Sequence, residues 1–206
     1  MSRRLDLPIA ALAWLSGFAW VQWKGSWTPL AALAVLAAVR LVLIDPETRR
    51  LLLPRASAGS LAAPGALVMI GGTYGLYAAL VEVVPSLADA TSGLYGVLNA
   101  GGYGPLALAT QVVAIAACEE VVWRGRNLEP PPARGAVDAA AARRAALLAL
   151  LYGACHATSG SLLLVLVAAA CGLAWGLLRI AGRSLWPAIL VHAAWDLAVL
   201  VVWPLV

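Results

Sequence analysis

The chain has 206 residues, of which 63% are hydrophobic and only 12% charged. A soluble domain of this size is about 45–50% apolar and about 25% charged, and it has too much surface to hide such an excess in a core. The net charge of +4 is spread between apolar segments rather than gathered into a basic patch, which excludes a nucleic-acid-binding face.

The apolar runs are continuous rather than alternating, so they predict an all-α transmembrane bundle and not a β-barrel. About seven helices are expected in one membrane domain covering residues 1–206, with three in residues 1–103 and a catalytic core in 104–206. The first runs over about Leu7–Trp23, with Arg3 and Arg4 ahead of it and Trp20, Trp23 and Trp27 as interfacial aromatics at its far end. No cleavable leader is expected, because no small-x-small site follows this run. The second helix covers about Pro29–Ile44 and is followed by a polar connection with Arg49, Arg50 and Arg55. The third covers about Leu61–Val84, and Gly71, Gly72 and Gly75 are expected to admit a close neighbour. Residues 85–103 read as a turn-rich connection.

The fourth helix spans about Pro105–Trp123 and carries Glu119 and Glu120. A polar stretch follows, with Pro130-Pro131-Pro132 as a stiff spacer. The apolar part of the fifth helix, Ala145–Ala157, is too short to cross a hydrocarbon core of about 30 Å. Its far end, with His156, must therefore be sheltered by protein or open to a cavity. The sixth and seventh helices cover about Leu162–Leu178 and Leu185–Val202. All but Lys24 of the fourteen Lys and Arg fall on one side if the N-terminus is cytoplasmic, so the expected topology is N-in, C-out. Measured from Arg124 at the cytoplasmic rim, Glu119, His192 and His156 would lie about 7, 13 and 18 Å deep, a spread that helix tilt can close.

Ionisable groups within such segments cost about 2.5–3.5 kcal/mol each to insert and are read as functional. Three stretches qualify: Glu119-Glu120 with Arg124, Tyr152-x-x-x-His156 and His192-x-x-x-Asp196, which include both histidines of the chain. Glu120 and Arg124 are four apart and share a helix face; adjacent Glu119 points about 100° away and lacks that cation. A carboxyl group so placed suits proton transfer, which assigns Glu119 as general base and Glu120 with Arg124 as support. Two mechanisms fit these residues. Glu119 with His156 can activate water while His192 and Asp196 support the oxyanion. Alternatively, Glu119, His156 and His192 can ligate zinc that carries the attacking water; the metal-free reading is favoured. Cys118, Cys155 and Cys171 read as packing residues, and no serine has the setting of a nucleophile. A proton-coupled transporter and a non-enzymatic immunity or scaffold protein are the other function classes open to such a constellation.

The motif set Glu119-Glu120-x-x-x-Arg124, Tyr152-x-x-x-His156 and His192-x-x-x-Asp196, with the phrase Gly182-Arg183-Ser184-Leu185-Trp186-Pro187 before the last histidine, resembles the CAAX protease and bacteriocin-processing (CPBP, or Abi) family of intramembrane endopeptidases. The resemblance covers about Gln111–Val199. It implies a membrane protease in which Glu119 and His156 activate water and His192 and Asp196 support the oxyanion, acting on a membrane-embedded or lipidated protein. Tyr152 stands where the family usually has Phe, and Asp196 where it often has Asn, which alone of the two can donate a hydrogen bond without being protonated. The composition looks bacterial, which implies an inner-membrane protein. Among bacterial members, the resemblance points to the small myxosortase-like enzymes that remove C-terminal sorting helices.

Overall fold

The computed structural model describes residues 6–55, 57–128 and 137–206; Arg3, Arg4 and the Pro130-Pro131-Pro132 spacer lie outside them. The described residues form an all-helical bundle without strands. In chain order the α-helices are α1 (Asp6–Lys24), α2 (Thr28–Ile44), α3 (Pro46–Leu51), α4 (Ser57–Val83), α5 (Ser86–Asn99), α6 (Pro105–Glu119), α7 (Ala139–Ala154), α8 (Leu162–Gly182) and α9 (Trp186–Asp196). A π-helical turn continues α6 over Glu120–Arg126, and another continues α9 over Leu197–Val202.

Local chemistry sets the ends. Proline occupies the first turn of α2, α3, α6 and α9, where a missing N–H costs nothing. Asp45 caps α3 by accepting from Thr48 N at 3.1 Å, Asp138 caps α7 through Ala141 N at 2.7 Å, and Ser161 caps α8 through Leu164 N at 3.2 Å. At the α8–α9 corner Arg183 adopts a left-handed φ of 50°. That corner is tied to the end of α3 by Leu185 N and Ser184 Oγ, which both donate to Leu51 O, and by Trp186 Nε1, which donates to Leu52 O.

Among the described residues three helices are long and apolar enough to cross a membrane: Ala58–Val83, Pro105–Gly125 and Leu162–Gly182; Thr28–Ile44 and Trp186–Val202 are shorter apolar helices. About seven helices were expected, the fifth of them too short to span. The shorter elements gain their apolar surroundings from neighbouring helices, since Leu30, Ala34, Ala145, Ala188 and Val191 are all buried. The expected shelter for the end of α7 is present: His156 is buried, and the turn after it packs on α1, with Thr158 Oγ1 donating to Leu15 O at 2.7 Å.

Two sequence expectations are corrected. Residues 85–103 are not a turn-rich connection, because Ser86–Asn99 is helical. Thr91, Tyr95 and Leu98 recur at helical spacing and are buried, and this packing outweighs the low propensity of Gly93 and Gly96. Nor do Gly71, Gly72 and Gly75 receive a close neighbour, since a Cβ there would meet nothing within 4 Å. One close approach occurs instead between α7 and α8. A Cβ on Gly153 would lie 2.7 Å from Ala169 Cβ and 2.8 Å from Val165 O. Gly153→Ala is therefore expected to destabilise the bundle by about 1–3 kcal/mol, measured as a lowered unfolding midpoint in detergent; an unchanged midpoint would show that the α7–α8 contact is soft.

Candidate active site

All three motifs meet. A cavity of about 100 Å³ lies inside the bundle, and Glu119, Tyr152, His156, His192 and Asp196 all line it, together with Phe18, Trp175 and Cys171. At about 30 Å³ per molecule it has room for a few waters. Glu119 ends α6 and Asp196 ends α9, so both acids sit where an α-helix passes into a π-turn. Such turns widen the backbone locally and recur at functional sites.

Glu119 is held by two donors. Tyr152 Oη–H donates to Oε2 at 2.5 Å, and Trp14 Nε1–H donates to Oε1 at 2.6 Å. The hydroxyl that Tyr152 has in place of the usual Phe thus reaches the acid directly. His156 follows the end of α7, and its Nδ1 lies 2.8 Å from Tyr152 O. A carbonyl only accepts, so Nδ1 carries the hydrogen, and Nε2 is the proton-accepting nitrogen of the neutral ring. Phe18 packs on the same imidazole with ring centroids 4.4 Å apart.

Glu120 lies closer to the site than the sequence argument implied. Its Oε1 accepts from Arg124 Nη1 at 3.1 Å, the expected i,i+4 pair, and also contacts His192 Nδ1 at 2.9 Å. Adjacent residues diverge on a helix, but an imidazole has two nitrogens on different edges. His192 spans the divergence, with Nε2 3.8 Å from Glu119 Oε2 and 3.6 Å from Asp196 Oδ2. The ring is stacked on Trp175 at a centroid distance of 3.4 Å and an interplanar angle of 16°. The Arg124 guanidinium lies 4.3 Å from the Tyr152 ring centre. It fits because position 172 is glycine, where a Cβ would stand 2.6 Å from Nη2.

Among the described residues no three His, Cys, Asp or Glu side chains are grouped so as to hold a metal ion. Cys118, Cys155 and Cys171 are free thiols, and Cys155 is buried. The serines do structural work, with Ser159 Oγ accepting from Ser161 N, Ser161 capping α8 and Ser184 bonding Leu51 O. The sequence reading missed Trp14, Phe18 and Trp175. For Trp14 a signal existed: Trp20 and Trp23 are exposed, but Trp14 sits mid-helix, where a buried indole N–H needs an acceptor.

A larger apolar cavity of about 470 Å³ adjoins the site. Its walls come from α4 (Val68, Gly72, Leu76), α5 (Leu87, Thr91) and α8 (Leu163, Ala170). Leu94, Val167, Cys171, Trp195 and Leu200 border both cavities. Gly72 thus opens space for this cavity instead of for a packed helix.

Residues 102–198 match the family model described as type II CAAX prenyl endopeptidase Rce1-like. No curated protein and no solved structure matches the chain. The match begins before α6 and runs past Asp196, taking in every motif residue that borders the cavity. The family implies a membrane-associated or prenylated protein as substrate. Over residues 102–198 the chain is thus similar to the Rce1-like type II CAAX prenyl endopeptidases, a likeness consistent with an intramembrane protease of the CPBP family, and its long apolar helices support an integral membrane protein.

Proposed function

We propose that the protein is a glutamate-dependent endopeptidase that hydrolyses a peptide bond near the C-terminal tail of a membrane-embedded or lipidated protein. The observation that carries this reading is the convergence of Glu119, His156 and His192, from three separate stretches of the chain, on one small, largely apolar cavity. Glu119 Oε2 accepts a proton from a water molecule as its oxygen attacks the scissile carbonyl carbon. His156 Nε2 accepts a hydrogen bond from the same water and orients it. Charge then develops on the carbonyl oxygen. His192 acts as the imidazolium, its Nδ1–H donating to Glu120 and its Nε2–H, near Asp196, donating a hydrogen bond to that oxyanion. As the tetrahedral intermediate collapses, Glu119 returns its proton to the departing nitrogen and the C–N bond breaks, leaving a carboxyl and an amine terminus. Tyr152 keeps Glu119 in place throughout.

The adjoining apolar cavity supports a substrate with a lipid chain or an apolar helix next to the cleaved bond. A bacterial inner-membrane setting and a role in trimming sorting tails, as in myxosortase-like enzymes, extend this reading. The test uses the purified protein in lipid vesicles with two substrates, a prenylated C-terminal peptide and a single-span protein with a short C-terminal tail. Mass spectrometry of the products is expected to show a single internal cut in at least one of them. Loss of neither tail, with proton or solute flux through the vesicles instead, would favour a transporter. Because the proton transfers are assigned to side chains alone, cleavage is expected to continue at its full rate with a strong zinc chelator. Activity that vanishes with the chelator and returns with added zinc would overturn the metal-free assignment.

A further inference from the structure

The family match starts at residue 102, yet the acid at the centre of the site takes one of its two hydrogen bonds from α1. The last side-chain torsion of glutamate is broad and nearly two-fold, so one donor leaves its carboxyl plane free to rock. Here each oxygen has its own donor from a different helix, Trp14 on Oε1 and Tyr152 on Oε2. Oε2 is also the oxygen 3.8 Å from His192 Nε2, which marks it as the one turned toward the reacting groups. Oε1 is turned to α1. The two donors share a brace: Trp123 packs edge-on against Trp14 with centroids 5.7 Å apart and against Tyr152 at 5.4 Å. α1 touches the other proton-transfer group as well, through Phe18 on His156.

We propose that Trp14 is a positioning residue of the active site, whose indole N–H fixes Glu119 Oε1 and so presents Oε2 to the hydrolytic water. The catalytic unit then includes α1 and is larger than the matched segment. This inference rests on Glu119 being the general base.

The competing role for a fully buried tryptophan is packing, and two variants separate the roles. Trp14→Phe keeps an aromatic ring and removes the donor. Trp14→His removes the outer ring but keeps a ring N–H at the place of the indole nitrogen. Trp14→Phe is expected to lower kcat about tenfold to a hundredfold with KM changed by less than about twofold. Trp14→His is expected to recover most of that loss even though it packs less well. In a double-mutant cycle with Tyr152→Phe the losses are expected to be non-additive, because both donors hold one carboxyl group. Should Trp14→Phe fail to give folded protein, a benzothiophene analogue of tryptophan at position 14 keeps the indole shape without the N–H, and the same drop in kcat is expected. Wild-type kcat in the Phe or benzothiophene form, or a His variant slower than the Phe one, would overturn the proposal. Glu119→Gln measured in parallel keeps the two readings apart: an active Glu119→Gln ends the general-base assignment, whereas an inactive one beside an unaffected Trp14→Phe ends only this inference.

Discussion

Glu119→Gln is expected to lower peptide cleavage by about a thousandfold or more, with the fold intact. General acid–base groups contribute about 10²–10⁴-fold each, and in the proposed mechanism one carboxyl group both takes the proton from water and returns it to the leaving nitrogen. Glutamine preserves the shape: its carbonyl oxygen still accepts from Trp14 Nε1, and the Tyr152 hydroxyl can turn to accept from the amide N–H that replaces Oε2. Only the proton-accepting capacity is lost. The same substitution removes one of three carboxyl groups around His192, so like-charge repulsion in a low-dielectric pocket can only fall. The signature is therefore loss of activity together with an unfolding midpoint equal to or above that of the wild type. Turnover measured per mole of monodisperse protein in detergent, beside a thermal melt, checks both halves. Cleavage at the wild-type rate would remove Glu119 from the mechanism.

Arg124→Met is expected to be the most destabilising single change in the site, by about 3–5 kcal/mol. Arg124 and Glu120 are both buried and joined at 3.1 Å, and the guanidinium also lies over Tyr152. Removing the cation leaves a buried carboxylate whose other contact is His192, the group it has to orient. Methionine fills the volume, so the cost is electrostatic rather than a cavity. The double variant Arg124→Met/Glu120→Gln, which removes both charges, is expected to recover a large part of that stability while activity stays low, because His192 loses its Nδ1 partner. Denaturant unfolding in detergent measures the two effects. A loss below about 1 kcal/mol for Arg124→Met would show that water reaches the pair and screens it.

Several features were legible in the chain before any coordinates. The excess of apolar residues dictates a helical membrane bundle, because only closed hydrogen bonding survives in lipid. The Glu120–Arg124 pair follows from i,i+4 spacing, and the shelter of His156 follows from the shortness of the apolar part of α7. α5 was half legible. Its buried positions have helical spacing, but Gly93, Gly96, Ser92 and Thr91 argue against a helix until Tyr95 packs, its Oη donating to Val199 O at 2.5 Å.

What the sequence by itself determined is the class of the molecule and which ionisable side chains lie within its apolar segments, where charge is costly to insert. Only the tertiary structure decided how those groups are joined. Local spacing separated Glu119 from Glu120, yet both contact one imidazole, because His192 offers a nitrogen to each. Nor did any local rule connect Trp14 with Glu119, 105 positions away. A buried indole announces that it needs an acceptor, but which carboxyl group answers depends on how α1 lies against α6, and that is a property of the packed bundle.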